Sequence, residues 1–190
     1  MARPKEFERD SALEAAIGVF RDHGFEGSST GMLLAAMGIG RQSFYDTFGD
    51  KHTLYAAALE RYARDEAHKH LDALKAGGRG LEAIAALLDG VIARADEPCL
   101  GVGSISEFGC RDAAVNAINA AADRVLQQAL MACLVDAATD GTLADGVTTE
   151  EAARFVVATI ASLRLSARGG AASASLDAIR RLAMRALIRR

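Results

Sequence analysis

The sequence predicts an all-α protein, on three observations. Of its 190 residues 51% are hydrophobic but only 5% aromatic, and two are proline, a composition that favours helices over sheets. Apolar residues recur at i, i+3 and i+4 in one segment after another. Between these segments stand glycines and capping residues, as at Gly24, Gly38, Gly49-Asp50, Gly77-Gly78, Asp140-Gly141 and Gly169-Gly170. About nine helices are expected, and the chain is long enough to bury a sizeable core.

The first helix is expected from about Glu8 to His23, with Leu13, Ala16, Ile17 and Phe20 on its inner face, Gly24 ending it and Phe25 packing back. Arg3 and Lys5 flank Pro4 ahead of it, a short basic arm of the kind that reaches a minor groove in some DNA readers. Ser28, Ser29 and Thr30 supply N-terminal acceptors for a second helix carrying Leu33, Ala36 and Met37. Gly38 suits a C-cap with positive φ, Ile39 fills the corner, and Gly40 turns the chain into a third helix.

In that third helix Phe44 and Phe48 stand at i and i+4, which pins one face inward and leaves Arg41, Gln42, Ser43, Tyr45 and Thr47 on the other. A helix, a glycine turn and a second helix with polar residues near its start is the helix-turn-helix plan for the DNA major groove. The residue types suit it: Arg offers a fork to guanine, Gln one to adenine, and Ser, Thr and Tyr hydroxyls reach bases or phosphate. On these grounds Ser29, Thr30, Arg41, Gln42, Ser43, Tyr45, Thr47 and Lys51, with Arg3 and Lys5, are the expected DNA-contacting set.

The run Phe44-Tyr45-Asp46-Thr47-Phe48-Gly49-Asp50-Lys51-His52-Thr53-Leu54 resembles the hallmark of the tetracycline-repressor (TetR/AcrR) family of transcriptional regulators, an aromatic pair followed by Phe and then Lys. The resemblance reaches back to Gly24-Phe25 and covers the first quarter to third of the chain. It implies a DNA-binding domain over 1–52 and an effector-binding, dimerising domain over 53–190. It further implies a ligand-responsive homodimeric repressor of a pseudo-palindromic operator, with repression itself carried by the resemblance alone.

Asp50 is expected to cap a long fourth helix through Leu54, Ala58 and Tyr62 to about Leu74, ahead of Gly77-Gly78. Lys51 in its first turn is ill placed for the helix dipole, and a facing phosphate would account for it. A fifth helix carries Leu81, Ile84, Leu87-Leu88 and Val91-Ile92 and ends at Asp96-Glu97-Pro98. Cys99 to Cys110 reads as a turn and a short helix from near Ser104, and Asp112 caps a further helix to about Ala138. Thr148 opens an eighth helix that is apolar over a wide arc, and a narrower stripe runs from Leu176 to Leu187. Those two helices are expected to form a dimer through Phe155, Ile160, Leu163, Leu176, Ile179, Leu182 and Ala186.

Tyr62, His68, Phe108, Cys110, Met131, Phe155 and Arg164 are candidates to line a small-molecule effector pocket, Arg164 as partner of an anion or, equally, as one end of a salt bridge. Neither cofactor nor metal is expected.

Net charge is −3, and the first 52 residues hold six Lys and Arg against eight Asp and Glu, so any DNA affinity must come from placement rather than total charge. Cys99, Cys110 and Cys133 form no CxxC, which argues against a disulfide framework or zinc cage. Cys99 before a helix and Cys110 beside Arg111 keep open a thiol-based redox or electrophile sensor. The sequence contains no HExxH, nucleophile elbow, GxGxxG or P-loop, so no enzyme is expected. A helical adaptor that binds only protein would leave Arg41, Gln42, Tyr45 and Lys51 unexplained. The charged N-terminus and the lack of a long apolar run place the expected location in the cytoplasm.

Overall fold

The computed structural model describes residues 3–189, with side chains from Arg9 onward. Among the described residues there are nine helices: α1 (Arg3–Gly27), α2 (Thr30–Met37), α3 (Arg41–Phe48), α4 (Lys51–Ala76), α5 (Gly80–Ala93), α6 (Leu100–Phe108), α7 (Ala113–Thr139), α8 (Thr149–Arg168) and α9 (Ser173–Leu187). An isolated antiparallel bridge pairs Leu143 with Ile188. No helix among the described residues is long and apolar enough to cross a membrane.

The capping residues act as their chemistry requires. Ser29 Oγ accepts the Met32 amide hydrogen at α2, Asp50 Oδ1 that of Thr53 at α4, and Asp112 Oδ1 that of Val115 at α7. Thr148 and Glu151 form a reciprocal capping box at α8. Gly38 closes α2 at φ 65°, a left-handed conformation that a side chain would strain.

Two boundaries differ from expectation. Helix α1 starts at Arg3, five residues early, and is interrupted at Gly24 (φ 71°) before one further turn to Gly27. Helix α6 starts at Leu100 rather than Ser104. Gly101 and Gly103 weaken a helix, but Leu100 and Ser104 are buried, and the Ser104 hydroxyl is hydrogen-bonded to the Gly101 carbonyl and the Asn119 side chain. Burial outweighs propensity there.

The chain partitions into two compact units, one comprising 1–64 and 99–120, the other 65–98 and 121–190. Residue 52, the expected boundary, lies within the first of these. In that unit Glu107 and Phe108 of α6 pack against the end of α1. That unit's core contains Phe20, Leu33, Met37, Phe44, Phe48, Leu54, Tyr55 and Leu59. The core of the other gathers Ile84, Leu87, Leu88 and Val91 of α5 with Leu130 and Leu134 of α7, Val156 and Leu163 of α8, and Leu176 and Leu187 of α9.

Candidate nucleic-acid interface

In the first unit α2 and α3 are joined by Gly38-Ile39-Gly40 and anchored by Leu33, Met37, Phe44 and Phe48, each at most 8% exposed. Burying each phenylalanine is worth about 1.5–3 kcal/mol. With Phe44 and Phe48 inward, helical periodicity turns Arg41, Gln42, Ser43, Tyr45 and Asp46 outward, and all five are exposed. Tyr45 is 46% exposed, although its ring meets Phe44 edge-on at 5.2 Å. Thr47 is half-buried at the margin.

The start of α2 adds a second polar edge. Ser29 is exposed; its oxygen caps the helix while its hydroxyl hydrogen stays available. Thr30 is half-buried beside it, and Ser28 is buried, donating to the Phe25 carbonyl at 2.9 Å. Backbone amides at such a helix start favour an anion.

Lys51 has an intramolecular partner that the sequence did not suggest: its Nζ lies 4.4 Å from the centroid of the Phe25 ring. A phosphate is thus not needed to account for it. His52 pairs with Asp112, Nε2 to Oδ2 at 2.5 Å. Asp112's carboxyl is held below its usual range by the Val115 amide first and by His52 second. The side chains of Arg3 and Lys5 lie outside the described residues.

Two residues that bear on the site escaped sequence reasoning. Asp46 Oδ1 accepts a hydrogen from Gln42 Nε2 at 2.9 Å, and the i, i+4 spacing of those two was there to be read. Glu107 Oε2 accepts the amide hydrogen of Phe25 at 2.7 Å, 82 residues away in the chain, and nothing local signals it.

The seven expected pocket residues are divided between the units. In the first, Tyr62 is buried in the core, Cys110 is exposed, and Phe108 packs on Phe25 and Tyr55 while lining a cavity of about 250 Å³ with Glu26, Glu107 and Arg111. In the second, His68 and Phe155 are exposed and Met131 is half-buried. Arg164, 5% exposed, is a structural ion pair: it donates to Glu66 Oε2 at 3.2 Å and to the Arg94 carbonyl. Glu66 also accepts from Arg94 at 2.9 Å and Lys69 at 2.8 Å. Burial raises the Glu66 carboxyl, but these cations outweigh it and the net shift is downward.

Three of the residues expected at a dimer contact lie inside. Ile160, Leu163 and Leu176 are 8%, 0% and 5% exposed because they fill their own chain's core. The apolar residues left outward on α8 and α9 are Phe155, Leu165 and Leu182, at 41%, 60% and 63%, with Ala186 exposed and Ile179 half-buried. Of the cysteines, Cys99 is the half-buried N-cap residue of α6, and burial pushes the half-buried Cys133 thiol up.

The family model described as bacterial regulatory proteins, tetR family, matches residues 12–58. The uncharacterized HTH-type transcriptional regulator YezE of Bacillus subtilis (strain 168) is 42% identical over 84 residues, 44% of this chain and 43% of that protein. The HTH-type transcriptional repressor ComR of Escherichia coli (strain K12) is 41% identical over 68 residues, 36% of this chain and 32% of that one. The matches thus span less than half of either curated relative. A cysteine mutant of the TetR family transcriptional regulator CifR, solved with double-strand operator DNA, is similar over nearly the whole chain. Its TM-score is 0.81 at 30% identity, covering 94% of this chain and 96% of that one.

Proposed function

This chain belongs to the tetR family of bacterial regulatory proteins, and from that premise we propose that it is a homodimeric, ligand-responsive repressor of transcription. Two copies of α3 enter successive major grooves of a pseudo-palindromic operator, each presenting Arg41, Gln42, Ser43 and Tyr45 to base edges and phosphates. Ser29, Thr30 and the α2 amides hold the neighbouring phosphates, and Lys51 adds charge at the margin. The single observation that carries this reading is the division of α3, with both phenylalanines buried and Arg41, Gln42, Ser43, Tyr45 and Asp46 exposed. The outward apolar residues of α8 and α9 are the proposed dimer contact. A small-molecule effector in the second unit selects a conformation that no longer fits the half-site spacing.

Selection of duplexes from a random pool tests the proposal. Recovery of a two-fold symmetric sequence, bound with an affinity that falls steeply with salt, supports it. No enrichment at low salt favours a protein-only adaptor instead.

A thiol-triggered variant of the same regulator is favoured by one observation. Cys99 occupies the N-cap position of α6, without a side-chain capping bond, and Glu107 of that helix holds Phe25 beside the reading head. Alkylating the native protein, locating the modified residue by mass and repeating the duplex titration tests it. Modification of Cys99 or Cys110 without loss of binding removes this variant.

A further inference from the structure

We propose that Asp46 is a positioning residue for sequence readout, fixing the Gln42 amide so that it selects adenine at one base pair in each half-site. The inference rests on the reading of α3 as the DNA-contacting helix. Both side chains are exposed on the outward face of α3, one turn apart, and Gln42 Nε2 donates to Asp46 Oδ1 at 2.9 Å.

The electrostatics of Asp46 call for such a role. A carboxylate in the last turn of an eight-residue helix opposes the helix dipole. On a face that meets phosphates it also repels the ligand. What Asp46 supplies in return is orientation. A carboxylate only accepts hydrogen bonds, so the end of the Gln42 amide that faces it is the nitrogen. The amide oxygen and the second Nε2 hydrogen are then left pointing away from Asp46. That pair matches adenine, whose N6 donates and whose N7 accepts. It mismatches guanine, which presents acceptors at both O6 and N7 and would face the outward oxygen. Holding the long glutamine side chain before binding also lowers the entropy lost on complex formation.

The test is duplex selection with wild type, Asp46→Asn, Asp46→Ala and Gln42→Ala, each checked for helical content and thermal stability. Gln42→Ala identifies the base pair that Gln42 reads. Wild type prefers A·T there by about fivefold or more. Asp46→Asn, whose amide can donate as well as accept, no longer dictates which end of Gln42 faces it and weakens the preference. Asp46→Ala loses it, to less than about twofold, while binding unrelated duplex more tightly than wild type because a phosphate-repelling charge is gone.

Wild-type preference in Asp46→Ala overturns the proposal, as does a Gln42→Ala profile unchanged at every base pair. A loss confined to a different, C·G pair also overturns it, making Asp46 a reader of cytosine in its own right. Those outcomes leave operator binding by the wild type intact, whereas a wild type that enriches no sequence overturns the underlying reading as well.

Discussion

Glu107 on α6 accepts the amide hydrogen of Phe25 at 2.7 Å, at the place where Gly24 breaks α1. The break frees that amide from the helical ladder, and the Glu107 carboxylate takes the place of the lost carbonyl. Phe25 in turn lies within 5.2 Å, ring centroid to centroid, of both Tyr55 and Phe108. The chain leading into the reading head is therefore fixed by a residue far away in sequence. Glu107→Ala is expected to lower stability by about 1–2 kcal/mol, the cost of leaving a half-buried amide unsatisfied. Glu107→Gln, which keeps an acceptor, recovers most of it. Gly24→Ala is expected to be at least as costly, because φ is +71° and an added Cβ would stand 2.1 Å from Glu107 Oε1. Chemical denaturation of the three variants measures all of this.

In the second unit, Arg164 and Glu66 form the most buried ion pair, at 5% and 8% exposure. Arg164→Ala removes one of three cations from Glu66, leaving Arg94 and Lys69 in place, and is expected to cost about 1–3 kcal/mol. The double variant Glu66→Leu, Arg164→Met removes both charges and should be distinctly less destabilised than the single variant. Denaturant titration of Glu66→Leu, Arg164→Met and the two together closes a double-mutant cycle and gives the coupling.

His70 sits beside this pair, its Nε2 buried without a hydrogen bond and 4.0 Å from Glu66 Oε2. Burial pushes its pKa down to about 4, against a smaller upward pull from Glu66. The unfolded chain takes up this proton near the ordinary value of 6.5, and the folded chain does not until about pH 4. Stability is therefore full above pH 6.5 and falls as pH drops from 6.5 towards 4, by up to about 3 kcal/mol. The Glu66 carboxyl is also shifted down, so its contribution too is lost as pH falls, but only below the ordinary carboxylate range. His70→Leu is expected to flatten the stability profile between pH 6.5 and 4.5, measured by thermal unfolding across that window.

Much of the fold is legible in the sequence because it is written locally. Gly38, Asp50, Asp112 and Thr148 mark helix ends through bonds within a few residues, and the Phe44, Phe48 spacing sets the outward face of α3. What is not legible depends on distant partners. Leu100 and Ser104 recruit a glycine-rich stretch into α6 by burial against the first unit's core, and Glu107 reaches a residue 82 positions away. A buried Arg164 needs a counter-charge, but only the fold identifies Glu66. On α8 and α9, periodicity marks apolar residues without saying which side meets the chain's own core, which is why Ile160, Leu163 and Leu176 read as dimer residues from sequence alone.

That division gives a test of assembly. Leu182 is 63% exposed and Phe155 41% exposed, so Leu182→Glu and Phe155→Glu should leave the isolated fold within about 0.5 kcal/mol of wild type. Each is expected to shift the protein from dimer to monomer by sedimentation, with a loss of operator affinity that follows. A dimer unchanged in both variants would relocate the interface.

The central claim, that the outward face of α3 reads DNA, is tested most directly by titrating the selected duplex with wild type, Arg41→Ala and Tyr45→Ala at one fixed salt concentration. Both positions are exposed, so both variants should remain folded dimers of wild-type stability. Arg41→Ala is expected to bind roughly tenfold or more weakly, with Tyr45→Ala also clearly impaired. Wild-type affinity in both variants would contradict the account.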